Sequence, residues 1–111
     1  MNRKEKLAAA DVLERAGLVL SLPEWWTTAA FARNERGAPI LSDEKGAICF
    51  CAVGAIEAAA GCAVSRKAAL AESALHDAVR GLIVDFNDTS TNTEVSHAML
   101  ACAEKLRAEA A

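Results

Sequence analysis

The segment DFNDTSTNTEV, residues 85–95, crowds nine polar side chains into ten positions of a chain that is 53% hydrophobic. Short polar side chains of this kind bond to nearby backbone in turns, and Thr91 with Glu94 has the T-x-x-E spacing of a capping box. Asp88 also suits a turn, and a purely structural role in the turn or cap stays open for both Asn87 and Asp88. They come at the end of a predicted helix whose apolar side should be packed, so they are the first candidates for ligand contact.

A second set of candidates lies in EWWTTAAFARNERG, which mixes aromatic residues with turn formers. Trp25 and Trp26 are adjacent, so both cannot easily point inward, and we expect one of them to face a cleft or a partner. Arg33 offers a planar fork for a carboxylate or a phosphate. It could also pair with Asp88 inside the protein, and that internal ion pair is the alternative to a ligand role for both residues.

Metal and thiol chemistry are disfavoured by the spacing of the possible groups. The sequence contains no C-x-x-C or H-x-x-x-H pair, and a calcium loop starting at Asp85 would lack its glycine and its final glutamate. Cys49 and Cys51 lie in an apolar stretch, which raises a thiol pKa and opposes nucleophilic catalysis. We therefore predict no metal, no cofactor and reduced thiols that pack as small apolar side chains.

Composition narrows the class of protein. The 111 residues fit a single domain, residues 1–111, and the net charge of −3 argues against a nucleic-acid partner. No segment has the run of uncharged apolar residues that a membrane span needs. The N-terminal sequence lacks the order of a secretory signal, so we predict a cytoplasmic protein with no membrane partner.

Apolar periodicity predicts a mainly α fold of about four helices. One amphipathic helix covers residues 3–20, and a buried central helix that is apolar all round covers residues 46–62. A third runs through residues 66–86 after its cap at Ser65, and the last one opens at the capping box. We expect the core to combine leucines with the aromatic side chains Trp25, Trp26, Phe31, Phe50 and Phe86.

Glycine and proline mark the irregular parts of the chain. Asn34 to Gly37 predicts a short irregular β-hairpin between the first and second helices, and Pro39 confines its second arm to an edge. Gly54 inside the central helix costs about 1 kcal/mol relative to alanine. That cost predicts a close approach at Gly54 by another backbone or by a ligand, whereas Gly61 is expected to cap the helix end.

These motifs resemble an uncharacterised family of small bacterial and phage proteins. The likeness spans roughly residues 7–106 and rests on Trp26, Ala32-Arg33, a glycine turn, CFCAVGAIEAA and FNDTSTNTEV. The family pattern has a C-x-C-A-x-G-A helix and a W-N-D loop before a T-x-x-E-V helix, with Phe86 here in place of the tryptophan. The family has no established activity. Its occurrence in phages implies a role against host defence, such as sequestering a nucleotide-derived signal.

Together the candidates predict a non-enzymatic protein that binds a nucleotide-like small molecule between the Trp25–Gly37 segment and the start of the last helix. Arg33 would hold an anionic group, one indole would stack, and polar side chains would bond to hydroxyl or amino groups. Two alternatives stay open: a homodimeric or larger interaction module without a ligand, and a small hydrolase using Asp88. The predicted ligand-binding residues are Trp25, Trp26, Arg33, Gly54, Asn87 and Asp88.

Overall fold

The computed structural model describes all 111 residues, and the first and last helices form an antiparallel pair at its centre. Helix α1 spans Arg3–Leu20 and helix α5 spans Asn92–Ala110. Their backbones approach closely at Gly17, where an added Cβ would lie 3.0 Å from Leu100 Cγ. The buried hydroxyl of Ser96 donates to the Gly17 carbonyl at 2.7 Å. The helix predicted over residues 3–20 is confirmed.

Three shorter helices pack around this pair. Helix α2 spans Ala52–Ala60, α3 spans Arg66–Val79 and α4 spans Ile83–Asp88. The predicted class, a mainly α single domain with a small β-hairpin, is confirmed, although the helices number five. The fully buried part of the core is aliphatic, and its largest apolar side chains are Leu13, Leu20, Ile56, Leu75, Val95 and Met99. Of the aromatic side chains expected in the core, Trp26, Phe50 and Phe86 are partly buried against it, whereas Trp25 and Phe31 are exposed.

The single helix predicted over residues 66–86 is wrong, because the chain breaks between α3 and α4. Arg80 takes a left-handed conformation with φ 58° and caps the end of α3, and Gly81 follows it. Consequently Asn87 and Asp88 lie in the last turn of the short helix α4 and not in a loop. The connection to α5 is short, and Thr91 with Glu94 forms the predicted capping box.

A three-stranded antiparallel sheet lies on one side of the helices. Strands β1 (Ala32–Arg33), β2 (Pro39–Ile40) and β3 (Cys49–Phe50) are arranged in the order β2-β1-β3. The predicted hairpin is therefore confirmed, with Pro39 on an edge strand as expected. The third strand was not predicted, and the helix expected over residues 46–62 starts at Ala52 because the preceding residues pair with β1.

The ends of α2 explain how the chain moves from the sheet into the helical layer. Cys51 lies between β3 and α2, and its Sγ caps the helix by accepting from the Gly54 N–H at 3.4 Å. Gly61 ends the helix with φ 86°, as predicted. Ser65 caps α3 as predicted, since its hydroxyl accepts from the Ala68 N–H at 3.1 Å.

Candidate functional site

Asn87 ties α4 to two other parts of the chain. Its side-chain oxygen accepts from the Trp26 indole N–H at 2.8 Å and from the Ala52 N–H at 3.0 Å. Its side-chain nitrogen donates to the Thr27 carbonyl at 3.1 Å. Only 1% of Asn87 is exposed, so these bonds are made in the interior. The amide is used by the protein itself, and Asn87 is a positioning residue.

Residues Thr27–Phe31 connect the 3₁₀ turn at Pro23–Trp25 to strand β1, and we call them the clasp loop. Arg33 holds this loop from one side. Its guanidinium donates to the Thr27 hydroxyl at 2.9 Å and to the Thr28 carbonyl at 3.0 Å. A third N–H group donates to the carbonyl of Gly37 at 3.0 Å in the hairpin turn.

The internal ion pair between Arg33 and Asp88 does not form. The four ion pairs of the structure join other residues, most of them on α1 and α5. The expectation is wrong because the Arg33 guanidinium is turned toward backbone carbonyls of the clasp loop and the hairpin. Arg33 nevertheless bonds to the start of the clasp loop, and Asp88 bonds to its middle.

Gly54 confirms the predicted close approach, and the approaching group is the backbone of the clasp loop. A Cβ added at Gly54 would lie 1.9 Å from the carbonyl oxygen of Phe31, which no real contact permits. The same carbonyl accepts from the Cys51 N–H at 3.1 Å. The first turn of α2 and the end of the clasp loop are therefore in direct backbone contact.

Asp88 holds the middle of the clasp loop with one carboxylate oxygen. Its Oδ1 accepts from the Ala29 N–H at 3.2 Å and from the side-chain nitrogen of Asn87 at 3.3 Å. Ala29 has φ 60°, a left-handed conformation that is strained for a residue with a Cβ. The second oxygen, Oδ2, accepts no hydrogen bond from the protein, and the Asp88 side chain is exposed.

A cleft with a volume of about 560 Å³ lies beside Asp88. We call it the α4 cleft, because α4 forms one wall while the clasp loop and the segment from β2 onward form the others. Its lining is largely apolar and comes from four parts of the chain. The lining residues are Ala29, Ala30, Phe31, Pro39, Ile40, Leu41, Glu44, Cys51, Val84 and Asp88.

The structure distributes the six predicted ligand-binding residues over different places. Asp88 lines the α4 cleft and the other five do not. Trp25 is 44% exposed in the 3₁₀ turn, outside the cleft. The remaining four hold the clasp loop and its neighbours through the contacts described above. Sequence reasoning missed the apolar walls, because Phe31, Leu41 and Val84 are residue types that usually belong to a core.

The ionisable groups that line the α4 cleft are the carboxylates of Glu44 and Asp88 and the thiol of Cys51. No lysine, arginine or histidine lines it. Burial raises the pKa of the Cys51 thiol, and the nearby carboxylates of Asp88 and Glu57 raise it further. The thiol is therefore protonated at neutral pH, which makes it a poor nucleophile.

The structure offers few groups that could form a metal site or a site based on histidine or cysteine chemistry. No cluster of three or more histidine, cysteine, aspartate or glutamate side chains is placed to bind a metal ion. His76 and His97 are exposed on α3 and α5, and all four cysteines are free. None of the five α-helices combines the length and apolar character required to cross a bilayer.

Family comparison covers almost the whole molecule. The family model described as "Family of unknown function (DUF6197)" matches residues 4–105. The chain belongs to this family. The predicted resemblance to an uncharacterised family is confirmed at that level. The search of curated proteins and the search of solved structures gave no significant match.

In this DUF6197 protein, the motif residues contact one another or the clasp loop. Trp26 and Asn87 bond to each other, Gly54 meets the Phe31 carbonyl, and Arg33 binds the start of the clasp loop. The motifs thus meet around one loop although they are far apart in the sequence. These contacts position the clasp loop, which forms one wall of the α4 cleft.

Proposed function

We propose that this protein is a non-enzymatic binding protein whose α4 cleft holds a small, largely apolar molecule. The observation that carries the proposal is the cleft itself, because its volume of about 560 Å³ falls within the usual range for small-molecule sites. Phe31, Leu41 and Val84 are 47%, 57% and 45% exposed along its walls. A bound apolar molecule would remove these surfaces from water, which is favourable in proportion to the area covered.

The framework behind the cleft supports a preformed site. The clasp loop is held by Asn87 and Arg33 and is pressed against α2 at Gly54. A loop fixed by several partly buried hydrogen bonds loses little further freedom when a ligand binds. Affinity is greater when a site is organised in advance, because the ordering entropy has already been lost on folding.

The nucleotide ligand predicted from the sequence has less support than an apolar one. Its anionic group was assigned to Arg33, and three N–H groups of that guanidinium already donate to protein oxygens. The charged groups of the α4 cleft are carboxylates, which repel phosphate. A bacterial or phage origin and a role in host defence remain predictions that follow from the resemblance, and a cytoplasmic location remains a prediction from the N-terminal sequence.

A second candidate is a homo-oligomeric interaction module in which a second copy of the chain covers the same walls. The exposed apolar side chains of the cleft favour it, since such patches also mark protein interfaces. In a homodimer these patches would be buried, so light scattering coupled to size-exclusion chromatography should give twice the monomer mass. A monomer at all concentrations would leave the small-molecule candidate. The hydrolase alternative has less support, because the hydrogen bonds of Asp88 come from the Ala29 N–H and the Asn87 amide and not from a histidine, serine or cysteine side chain.

The proposal is tested by titrating isotope-labelled protein with a library of small aromatic and aliphatic fragments and following amide NMR signals. We expect apolar fragments to shift the amides of residues lining the α4 cleft. Leu41→Ser should weaken these effects, because it removes an apolar wall. Leu82→Ser is the matched control, since Leu82 is 63% exposed but lies outside the cleft.

Two results would contradict the proposal. One is a library in which no fragment shifts the cleft amides at millimolar concentration. The other is equal weakening by both leucine variants, which would mean that exposed leucines bind fragments irrespective of the cleft. The amides of α1 and α5 far from the cleft provide an internal reference for nonspecific binding.

A further inference from the structure

We propose that the α4 cleft selects molecules whose apolar body carries a positive charge, such as a protonated amine, and that Asp88 contacts this charge. The inference rests on the proposed function and names its ligand class. It follows from the distribution of charge, because the charged side chains lining the cleft are Asp88 and Glu44 and no basic side chain accompanies them. An apolar wall with carboxylates at its edge complements an amphipathic cation.

Asp88 is prepared for such a contact by its own hydrogen bonds. The Ala29 N–H and the Asn87 amide both donate to Oδ1, which fixes the orientation of the carboxylate. Oδ2 has no donor from the protein and remains available. A charge-assisted hydrogen bond from an ammonium group to this oxygen is stronger than a bond between neutral groups. The contact therefore needs no rearrangement of the clasp loop.

A third carboxylate, that of Glu57, lies near the inner wall of the cleft. Cys51, 5% exposed, lines this wall, and the carboxylates of Asp88 and Glu57 both act on its thiol. Glu57 accepts a hydrogen bond from the buried Ser42 hydroxyl at 2.8 Å, which holds that carboxylate in place. A ligand cation entering the cleft would meet the exposed carboxylates of Asp88 and Glu44 at its edge, an attraction that added salt screens.

The test uses three probes with the same ring and different charge: 2-phenylethylamine, 2-phenylethanol and 3-phenylpropionate. Each is titrated into the full chain while the cleft amides are followed by NMR. We expect the amine to bind most tightly and the carboxylate most weakly. Added salt should weaken binding of the amine and leave binding of the alcohol unchanged, because salt screens only the charged contact.

The variant Asp88→Asn removes the charge while its side-chain oxygen can still accept from the Ala29 N–H. We expect the amine to bind roughly tenfold more weakly, the effect of losing one hydrogen bond to a charged group, with little change for the alcohol. Asp85→Asn is the matched control, because Asp85 lies on the same helix and does not line the cleft. Glu44→Gln, at the exposed edge, should give a smaller loss of affinity for the amine. It replaces Asp88→Asn in the test if that variant proves unstable.

The outcomes separate this inference from the function beneath it. If the alcohol and the carboxylate shift the cleft amides as strongly as the amine, or if neither charge-removing variant affects the amine, selection for a cation is overturned while ligand binding stands. If none of the three probes shifts any cleft amide, both the inference and the proposed function are contradicted. Weaker amine binding in Asp85→Asn equal to that in Asp88→Asn would also overturn the specific role of Asp88.

Discussion

The indole N–H of Trp26 donates to the side-chain oxygen of Asn87 at 2.8 Å, although 61 positions separate the two residues in the chain. The same oxygen accepts from the first residue of α2. One amide thus fixes the relative positions of the segment before the clasp loop, helix α2 and helix α4. The α4 cleft has its shape because these three elements meet at Asn87.

Replacing Asn87 by alanine should lower the free energy of unfolding by about 3 to 5 kcal/mol. The change leaves two N–H donors and one carbonyl without their partner, and each such group costs about 1 to 3 kcal/mol when buried. Urea unfolding followed by circular dichroism measures the loss. Asp85→Ala on the same helix is the control and should cost less than about 1 kcal/mol. Similar losses in both variants would refute the special role of Asn87.

Gly54→Ala should destabilise the protein by about 3 kcal/mol, because the new Cβ would overlap the Phe31 carbonyl and force the clasp loop away from α2. Gly81→Ala is the matched control. It has no neighbour within 4 Å of the added Cβ and no positive φ, so it should change stability by less than about 0.5 kcal/mol. The melting temperatures of the two variants give the comparison, and a tolerated Gly54→Ala would contradict the backbone contact.

Ala29→Gly should stabilise the fold by about 1 kcal/mol, because glycine adopts φ 60° without the strain that a Cβ introduces. Arg80→Gly relieves the same kind of strain at φ 58°, at a position that does not line the cleft. Both gains should appear in urea unfolding. Only Ala29→Gly should also alter ligand affinity. Stabilisation by Arg80→Gly with none from Ala29→Gly would mean that Ala29 is unstrained in solution.

The pH dependence of stability should contain a contribution from Glu72. Burial raises the pKa of this carboxyl, and the neighbouring Glu57 carboxylate raises it further. The unfolded chain therefore releases this proton at lower pH than the folded protein does, near the ordinary value of 4.5. Between the two pKa values the folded state binds more protons, so this contribution to stability falls as pH rises.

Glu72→Gln should remove this decrease, so that the variant gains stability relative to the parent as pH rises above 4.5. Urea unfolding at several pH values gives the difference between the two proteins. Glu57→Gln should reproduce part of the effect, since it removes the smaller cause. A stability difference that does not change with pH would show that Glu72 titrates normally in the folded protein.

Local signals in the sequence were sufficient to predict several structural features. The capping box at Thr91 and Glu94, the cap at Gly61 and the close approach at Gly54 each depend on the chemistry of a few neighbouring residues, and each was predicted. Strand β3 was not, because CFC within an apolar run looks the same in a buried helix and in a short strand. Pairing with β1, a contact distant in sequence, decides between them.

The candidate site was harder to predict for the same physical reason. Asp88 was identified because an acidic residue after an apolar helix is unusual. Arg33 was expected to bind an anion, but its partners are mostly backbone carbonyls, which any residue possesses and which leave no mark in the sequence. The exposed walls at Phe31 and Leu41 were invisible because residue type does not report which apolar side chains remain uncovered.

The most direct test of the account is a measurement of NMR contacts between bound 2-phenylethylamine and the methyl groups of the protein. The account predicts nuclear Overhauser effects from the ring protons to Ile40, Leu41 and Val84, the methyl-bearing walls of the α4 cleft. Contacts to Leu18 and Leu100, on the outer face of the α1–α5 pair, would place the molecule elsewhere and contradict the central claim.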